Sequence, residues 1–312
     1  MRRRMVVVGT RGSRLALAQA NWVIERLRAR YPEVEFQRKE IRTTGDNILE
    51  VALAKIGDKG LFTKELEKAL LDGEIDLAVH SMKDLPTRLP PGLVVGAVSN
   101  REYPGDVLIS RSGRVLEELP PGAVVGTSSL RRTAQLLAYR PDLEVVPVRG
   151  NVLTRLRKLD EGVVDALVLA WAGVYRLNLT GRVTHRIPIS VCLPAVGQGA
   201  LGVEVRQGDA EIIEMVRTVD HAPTRAAVLA ERTLLRRLEG GCQVPIGALG
   251  RVWDSRLLLE AVVASLDGRE LVRAEDSGPV SEPERLGGQL AARMLEMGAG
   301  AILDRVRKGV EN

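Results

Sequence analysis

Apolar residues in this chain change their spacing several times, and each change predicts an element. Residues 5–9 are nearly all apolar, as in a short buried strand. Ser13 then stands where a helix would begin, with Leu15, Ala16, Ala20, Val23, Ile24 and Leu27 along one side. Residues 34–41 alternate apolar and polar like a half-buried strand, and 62–71 return to helical spacing and stop near Gly73. Residues 76–80 predict another strand, which runs directly into Ser81-Met82-Lys83-Asp84. Strands alternating with helices predict a mostly parallel sheet whose ligand loops lie beyond the carboxyl ends of its strands. Arg11, Ser13, Lys83 and Asp84 all fall on such loops.

After a strand at 93–98, Asn100-Arg101-Glu102-Tyr103-Pro104-Gly105-Asp106 breaks the pattern. A second α/β unit follows, with strands at 123–126, 143–148 and 165–170 and helices at 129–139 and 151–161. Leu193-Pro194-Ala195-Val196-Gly197-Gln198-Gly199 reads as the way back, and 201–205 as a strand rejoining the first unit. Two crossings predict a hinged pair with a cleft. Beyond Asp220 come a helix at 224–238, a glycine-rich loop holding Cys242, strands at 252–264 and 270–275, and helices from Pro283. The expected fold class is α/β in three domains: 1–99 with 200–219, then 105–195, then 220–312, the last a small α/β domain with a short sheet and helices.

Composition narrows the function. A chain of 312 residues is too long for one ordinary core, and 45% hydrophobic with 27% charged residues is the balance of a soluble globular protein. The basic start, Arg2-Arg3-Arg4, briefly imitates an export signal, but its apolar part ends within a few residues, which predicts a cytoplasmic protein without a membrane partner. Two cysteines and three scattered histidines offer no metal-ligand spacing. The net charge of +5 rests on eight lysines against 37 arginines. Arginine's planar fork pairs with carboxylates two bonds at a time.

Several motifs could hold anions. In Gly126-Thr127-Ser128-Ser129-Leu130-Arg131-Arg132 a strand ends in hydroxyl residues at a helix start, where free N–H groups favour negative charge. Arg149-Gly150-Asn151 with Arg155 repeats that design, and so does Arg11 with Ser13. Gly197-Gln198-Gly199-Ala200-Leu201-Gly202 spells a dinucleotide fingerprint, but a strand follows where a helix must receive the pyrophosphate. Gly57-Asp58-Lys59-Gly60 lacks the spacing of a phosphate loop. Lys83-Asp84, before Leu85-Pro86, reads either as a turn or as an ionised carboxylate placed to stabilise positive charge. His80 and Cys192 read as core residues, His80 as a satisfied one. Cys242, between two glycines and a proline, is set out on its loop.

In this order, Gly9-Thr10-Arg11-Gly12-Ser13, His80-Ser81-Met82-Lys83-Asp84, Gly126 to Arg132, Arg149-Gly150-Asn151 and the Cys242 loop resemble the porphobilinogen deaminase family, nearly end to end. The resemblance implies a transferase of tetrapyrrole biosynthesis. It would condense four porphobilinogen molecules head to tail, each losing ammonia to give an electrophilic azafulvene, and release hydroxymethylbilane by hydrolysis. It implies a dipyrromethane primer held covalently by a thioether to Cys242. Asp84 would be the catalytic carboxylate. Ser13, Lys83, Thr127, Ser129, Arg131 and Arg132 would hold cofactor carboxylates, and Arg11, Arg149, Arg155, Arg176 and Gln198 would handle substrate and growing chain. Lys55 and Phe62 match a cleft-covering segment. The family fold is three α/β domains, the first two resembling hinged solute-binding-protein domains, and the working form expected is a monomer. Glu102 to Asp106 departs from the family's Asp-Pro-Arg-Asp, which bears on the hinge.

Two other readings fit parts of the sequence. A hinged binder of small anions would share the arginine-lined loops but needs no exposed cysteine. A nucleic-acid binder would use the positive charge, yet aromatic residues are only 3% of the chain, too few for base stacking, so no nucleic-acid partner is expected.

Overall fold

The computed structural model describes residues 5–47, 62–238 and 244–311. Strand β1 (Met5–Thr10) leads to α1 (Arg14–Arg30), β2 (Glu35–Glu40), α2 (Thr44–Asn47), α3 (Lys64–Leu71), β3 (Leu77–Ser81) and β4 (Leu93–Val98). The chain then crosses into β5 (Asp106–Ser110), β6 (Val124–Gly126), α4 (Leu130–Tyr139), β7 (Glu144–Val146), α5 (Val152–Asp160), β8 (Ala166–Ala170), α6 (Trp171–Arg176) and β9 (His185–Arg186). It returns as β10 (Leu201–Arg206) and α7 (Ala210–Val216), and continues through α8 (Ala222–Arg237), β11 (Ile246–Trp253), β12 (Arg256–Ala264), β13 (Leu271–Pro279), α9 (Pro283–Glu296) and α10 (Ala299–Glu311).

Local chemistry accounts for the helix starts. Ser13 Oγ accepts from the Ala16 amide and caps α1, whose Ala16, Gln19, Ala20, Val23, Ile24 and Leu27 recur at helical spacing and are buried. Asn151 caps α5 in the same way through the Thr154 amide. Ser129 occupies the cap position of α4 without a side-chain bond; its own amide donates to Thr127 Oγ1 at 3.2 Å. His221 caps α8, with Pro223 in the first turn, where its missing N–H costs nothing.

The fold is α/β, with two five-stranded sheets and a three-stranded antiparallel sheet, ordered β2-β1-β3-β10-β4, β7-β6-β8-β5-β9 and β11-β12-β13. The first two sheets share one plan and are mixed, where alternation alone predicted mostly parallel strands. In each, one strand enters from the far side of a crossing and runs antiparallel to both neighbours: β10 between β3 and β4, and β5 between β8 and β9. In the third sheet, the predicted strand at 252–264 is two, because Asp254 takes φ 52° in the tight turn between β11 and β12.

The cores are separate. Val6, Val8, Leu27, Phe36, Leu77, Val203 and Met215 pack the first sheet against its helices. Leu108, Val125, Leu136 and Val168 fill one face of the second, and Ile109, Leu156, Leu167 and Val174 the other. Leu234, Leu257, Leu259, Leu290 and Leu303 fill the third. At the crossings the two connecting strands touch: Gly199 takes φ 96°, and a Cβ there would stand 2.3 Å from the Glu102 carbonyl oxygen. Glu231 of α8, wholly buried, ties this junction to the third sheet. It accepts from both ends of the Arg101 guanidinium at 2.6 and 3.0 Å and from the amides of Gly197 and Gly250 at 2.7 Å.

Candidate active site

A cleft of about 430 Å³ opens between the first two sheets. The first sheet contributes Arg11 and Ser13 from the β1–α1 turn, Gln19 of α1, and Ser81, Lys83 and Asp84 from the end of β3. Facing them are Ser128, Arg132, Arg149, Arg155 and Arg176, and Gln198 comes from the returning crossing. These are strand ends and helix starts, as expected for ligands of an α/β sheet. Six cationic side chains meet one carboxylate, Asp84, among the described lining residues. Such a field selects an anion with several negative groups.

The cations crowd one another. Burial, with the guanidinium groups of Arg132 and Arg131 nearby, pulls the Lys83 ammonium down to about 8, although Asp84 and Asp106 oppose the shift. Lys83 Nζ lies 3.5 Å from Gln198 Oε1. Burial, then Arg132 and Arg149, lowers Arg155 to about 10, and burial lowers Arg176 to about 10. Arg155 donates to the Gly150 carbonyl at 2.8 Å and Arg176 to that of Gly199 at 2.7 Å, so each guanidinium is aimed by one backbone contact. Carboxylates entering the cleft would relieve this repulsion.

Behind the second wall lies Asp106, fully buried at the start of β5. It accepts from Arg131 at 2.8 Å, Arg132 at 2.7 Å and Gln198 at 2.9 Å. The two arginines hold its carboxyl well below the usual range despite burial. Arg132 also donates to the Val168 carbonyl at 2.9 Å and still reaches the cleft. Arg131 turns inward to the Leu193 carbonyl at 2.7 Å and to Cys192 Sγ at 3.3 Å. Burial pushes the Cys192 thiol up to about 12, so it is an inert core residue.

Not every residue singled out in the sequence reaches the cleft. Arg11, Ser13, Phe62, Lys83, Asp84, Arg132, Arg149, Arg155, Arg176 and Gln198 line it; Thr127, Ser129 and Arg131 are not among the lining residues. Ser128 is the hydroxyl of that motif which does, donating to the Val148 carbonyl at 2.9 Å. The Arg11 guanidinium lies 4.2 Å from the centroid of the Phe62 ring. Cys242 and Lys55 lie outside the described residues. Sequence reasoning missed Asp106, taken only as the end of a boundary segment, as well as Gln19 and Ser81. Its position two residues after Pro104, opening an apolar run, was the available signal for Asp106.

Residues 6–214 match the family model described as porphobilinogen deaminase, dipyromethane cofactor binding domain, and residues 225–296 match porphobilinogen deaminase, C-terminal domain. The porphobilinogen deaminase of Desulforudis audaxviator is 81% identical over 307 residues, covering 98% of this chain and 99% of that one. That of Pelotomaculum thermopropionicum is 59% identical over 306 residues, covering 98% of each. Among solved structures, the VFT2 domain of Bordetella pertussis BvgS overlaps 69% of this chain and 85% of its own at 16% identity with a TM-score of 0.41, too slight a likeness to bear on function.

Proposed function

The chain belongs to the porphobilinogen deaminase family, and from that premise we propose how its residues divide the work of condensing four porphobilinogen molecules into hydroxymethylbilane with loss of ammonia. The observation that carries the proposal is the cleft's six cations around one carboxylate. Dipyrromethane fits this donor set: its two pyrroles carry four carboxylates, and Lys83, Arg155 and Arg176 are held below their ordinary values chiefly by burial, which incoming carboxylates would offset. A cleft of about 430 Å³ is also in the range of small-molecule sites. When bound, dipyrromethane supplies the free pyrrole α-carbon from which the chain is extended.

Ser13, Lys83 and Arg132 hold cofactor carboxylates directly. Arg131, Thr127 and Ser129 serve the same groups from behind, Arg131 through Asp106 and the two hydroxyl residues by shaping the turn into α4. Arg11, Arg149, Arg155, Arg176 and Gln198 bind the acetate and propionate groups of substrate and growing chain. Asp84 is the catalytic carboxylate. As the bond from carbon to the leaving ammonia breaks, positive charge spreads onto a pyrrole nitrogen, and a fixed negative group in a cleft of cations stabilises that state more than the neutral one before it. Phe62 packs on Arg11 at the cleft.

Cys242 anchors the primer covalently. Cys242→Ser, expressed in a host that makes pyrroles, should have the mass of its sequence alone and no activity, while the wild type should carry the extra mass of two pyrroles; a bare wild-type mass alongside full turnover would rule the anchor out. The segregated cores support three domains: 1–99 with 200–219, 105–195 and 220–312. The form proposed is a cytoplasmic monomer. Among the described residues no helix is long and apolar enough to cross a membrane.

A further inference from the structure

His80, on β3 just before the loop that carries Asp84, is 5% exposed, and its Nε2 lies 3.1 Å from Oε2 of fully buried Glu204. The pairing of β3 with β10 sets Gly202 opposite His80, so Glu204 stands two residues along the neighbouring strand on the same face. Glu67 of α3, 6% exposed, interacts electrostatically with both. Burial, with the charge of Glu204, raises the Glu67 carboxyl above its usual range. Neither oxygen of Glu204, nor Oε1 of Glu67, nor His80 Nε2 makes a hydrogen bond. The expected core histidine is therefore buried and faces Glu204 at ion-pair distance, without a well-aligned hydrogen bond.

Two carboxylates and one imidazole so placed are costly unless they share protons. Beside them a side chamber of about 50 Å³, roomy enough for a water molecule, adjoins the cleft and is lined by Thr63, His80, Ser81 and Asp84. The Thr63 hydroxyl, 1% exposed, lies beside Glu67 and partly opposes the rise of its carboxyl. Arg11 and Phe62 line the same chamber, and Lys64 faces Glu67 from the start of α3.

We propose that His80, Glu204 and Glu67 form a proton-holding site that exchanges a proton with Asp84 through this chamber. The proposal rests on the condensation reaction assigned above. Asp84 would accept the proton that the attacking pyrrole α-carbon must lose, the electron pair of that C–H bond returning to the ring. To stabilise the next developing cation, Asp84 must be ionised again. Six cations line its own cleft among the described residues, while His80, which lines the chamber together with Asp84, faces Glu204 on its far side. The proton passes by water in the chamber to the imidazole, which Glu204 and Glu67 face from the interior, and leaves for solvent before the next round.

The test uses His80→Asn and Glu67→Gln, each confirmed by intact mass to carry the cofactor. We expect kcat to fall about tenfold or more in His80→Asn, short of the roughly hundredfold or more lost with a group that acts directly as acid or base, with KM within about twofold. The acid limb of the kcat–pH profile and the solvent deuterium isotope effect should change in both variants. If His80→Asn does not fold, the near-isosteric Glu67→Gln carries the test. Profiles and isotope effects matching wild type in a cofactor-loaded variant overturn the inference, even if that variant melts earlier. Wild type that carries the cofactor yet does not consume porphobilinogen would instead defeat the functional reading.

Discussion

Asp106, behind the second-sheet wall of the cleft, accepts three hydrogen bonds at 2.7 to 2.9 Å, whereas Glu204, behind the first-sheet wall and equally buried, accepts none. Both carboxylates sit in the interior beside the same cleft. Around Asp106 two guanidinium groups over-neutralise the charge, which leaves a net positive, fixed cradle suited to holding carboxylates still. Around Glu204 stand a single imidazole at 3.1 Å and a second carboxylate, a sparser set of partners. A fully satisfied buried network rigidifies, while one with unpaired polar atoms is costly to hold in a single arrangement. The second-sheet wall is thus built to grip and the first-sheet wall to change charge.

The comparison breaks most readily at Asp106. Asp106→Asn leaves two buried guanidinium groups facing a neutral amide, and it should cost about 3–5 kcal/mol of stability at neutral pH, the scale for removing one partner of a buried ion pair. Because the folded state holds this carboxyl below its unfolded value, its contribution is present above the ordinary carboxylate range and fades as pH falls toward the folded value. The deficit should therefore shrink in acid. Urea unfolding at pH 7 and in mild acid measures this, and a loss below about 1 kcal/mol at pH 7 would mean that the arginines need no such counter-charge.

Asp84→Asn probes the other wall. Asp84 is exposed to the cleft, so its substitution should leave the unfolding midpoint nearly unchanged while lowering kcat about a hundredfold or more. Steady-state kinetics on mass-verified, cofactor-loaded enzyme decide the matter. Turnover near wild type would return Asp84 to a turn residue.

Glu67→Gln should give the smallest effect, with the opposite sign to Asp106→Asn. A carboxyl raised in the folded state favours folding below the ordinary carboxylate range and loses that advantage as pH rises through the raised value. At neutral pH the glutamine variant should melt slightly higher than wild type, by roughly 2 °C, and the difference should vanish in acid. A melting point that falls at neutral pH would show that the Glu67 charge is compensated after all.

Much of this arrangement was legible in the sequence. Helix caps such as Ser13 and Asn151 work through contacts within three residues, so Arg11, Ser13 and Arg155 could be placed at helix starts directly. The Arg131–Asp106 pair could not, because its partners are 25 residues apart and meet only when β5 slots between β8 and β9. Arg131 and Arg132 look alike in sequence, yet successive helical residues point about 100° apart, and one faces the cleft while the other faces inward. The turn at Asp254 was hidden because aspartate entered the left-handed region in place of the glycine that would have announced it. Antiparallel β10 was foreseen as a returning strand, but local spacing carries no information about strand direction.

The position of β10 between β3 and β4 also dictates an order of assembly. As the chain leaves the ribosome, β3 and β4 appear early but cannot be joined until residues 201–206 have been made, whereas the second sheet is drawn from the unbroken stretch 106–186. The later-numbered sheet can therefore close first, while β3 and β4 wait with unpaired edges of the kind that invite misassembly. The carboxylate that does the chemistry, at the end of β3, is held in its final place only after the arginines opposite it have been.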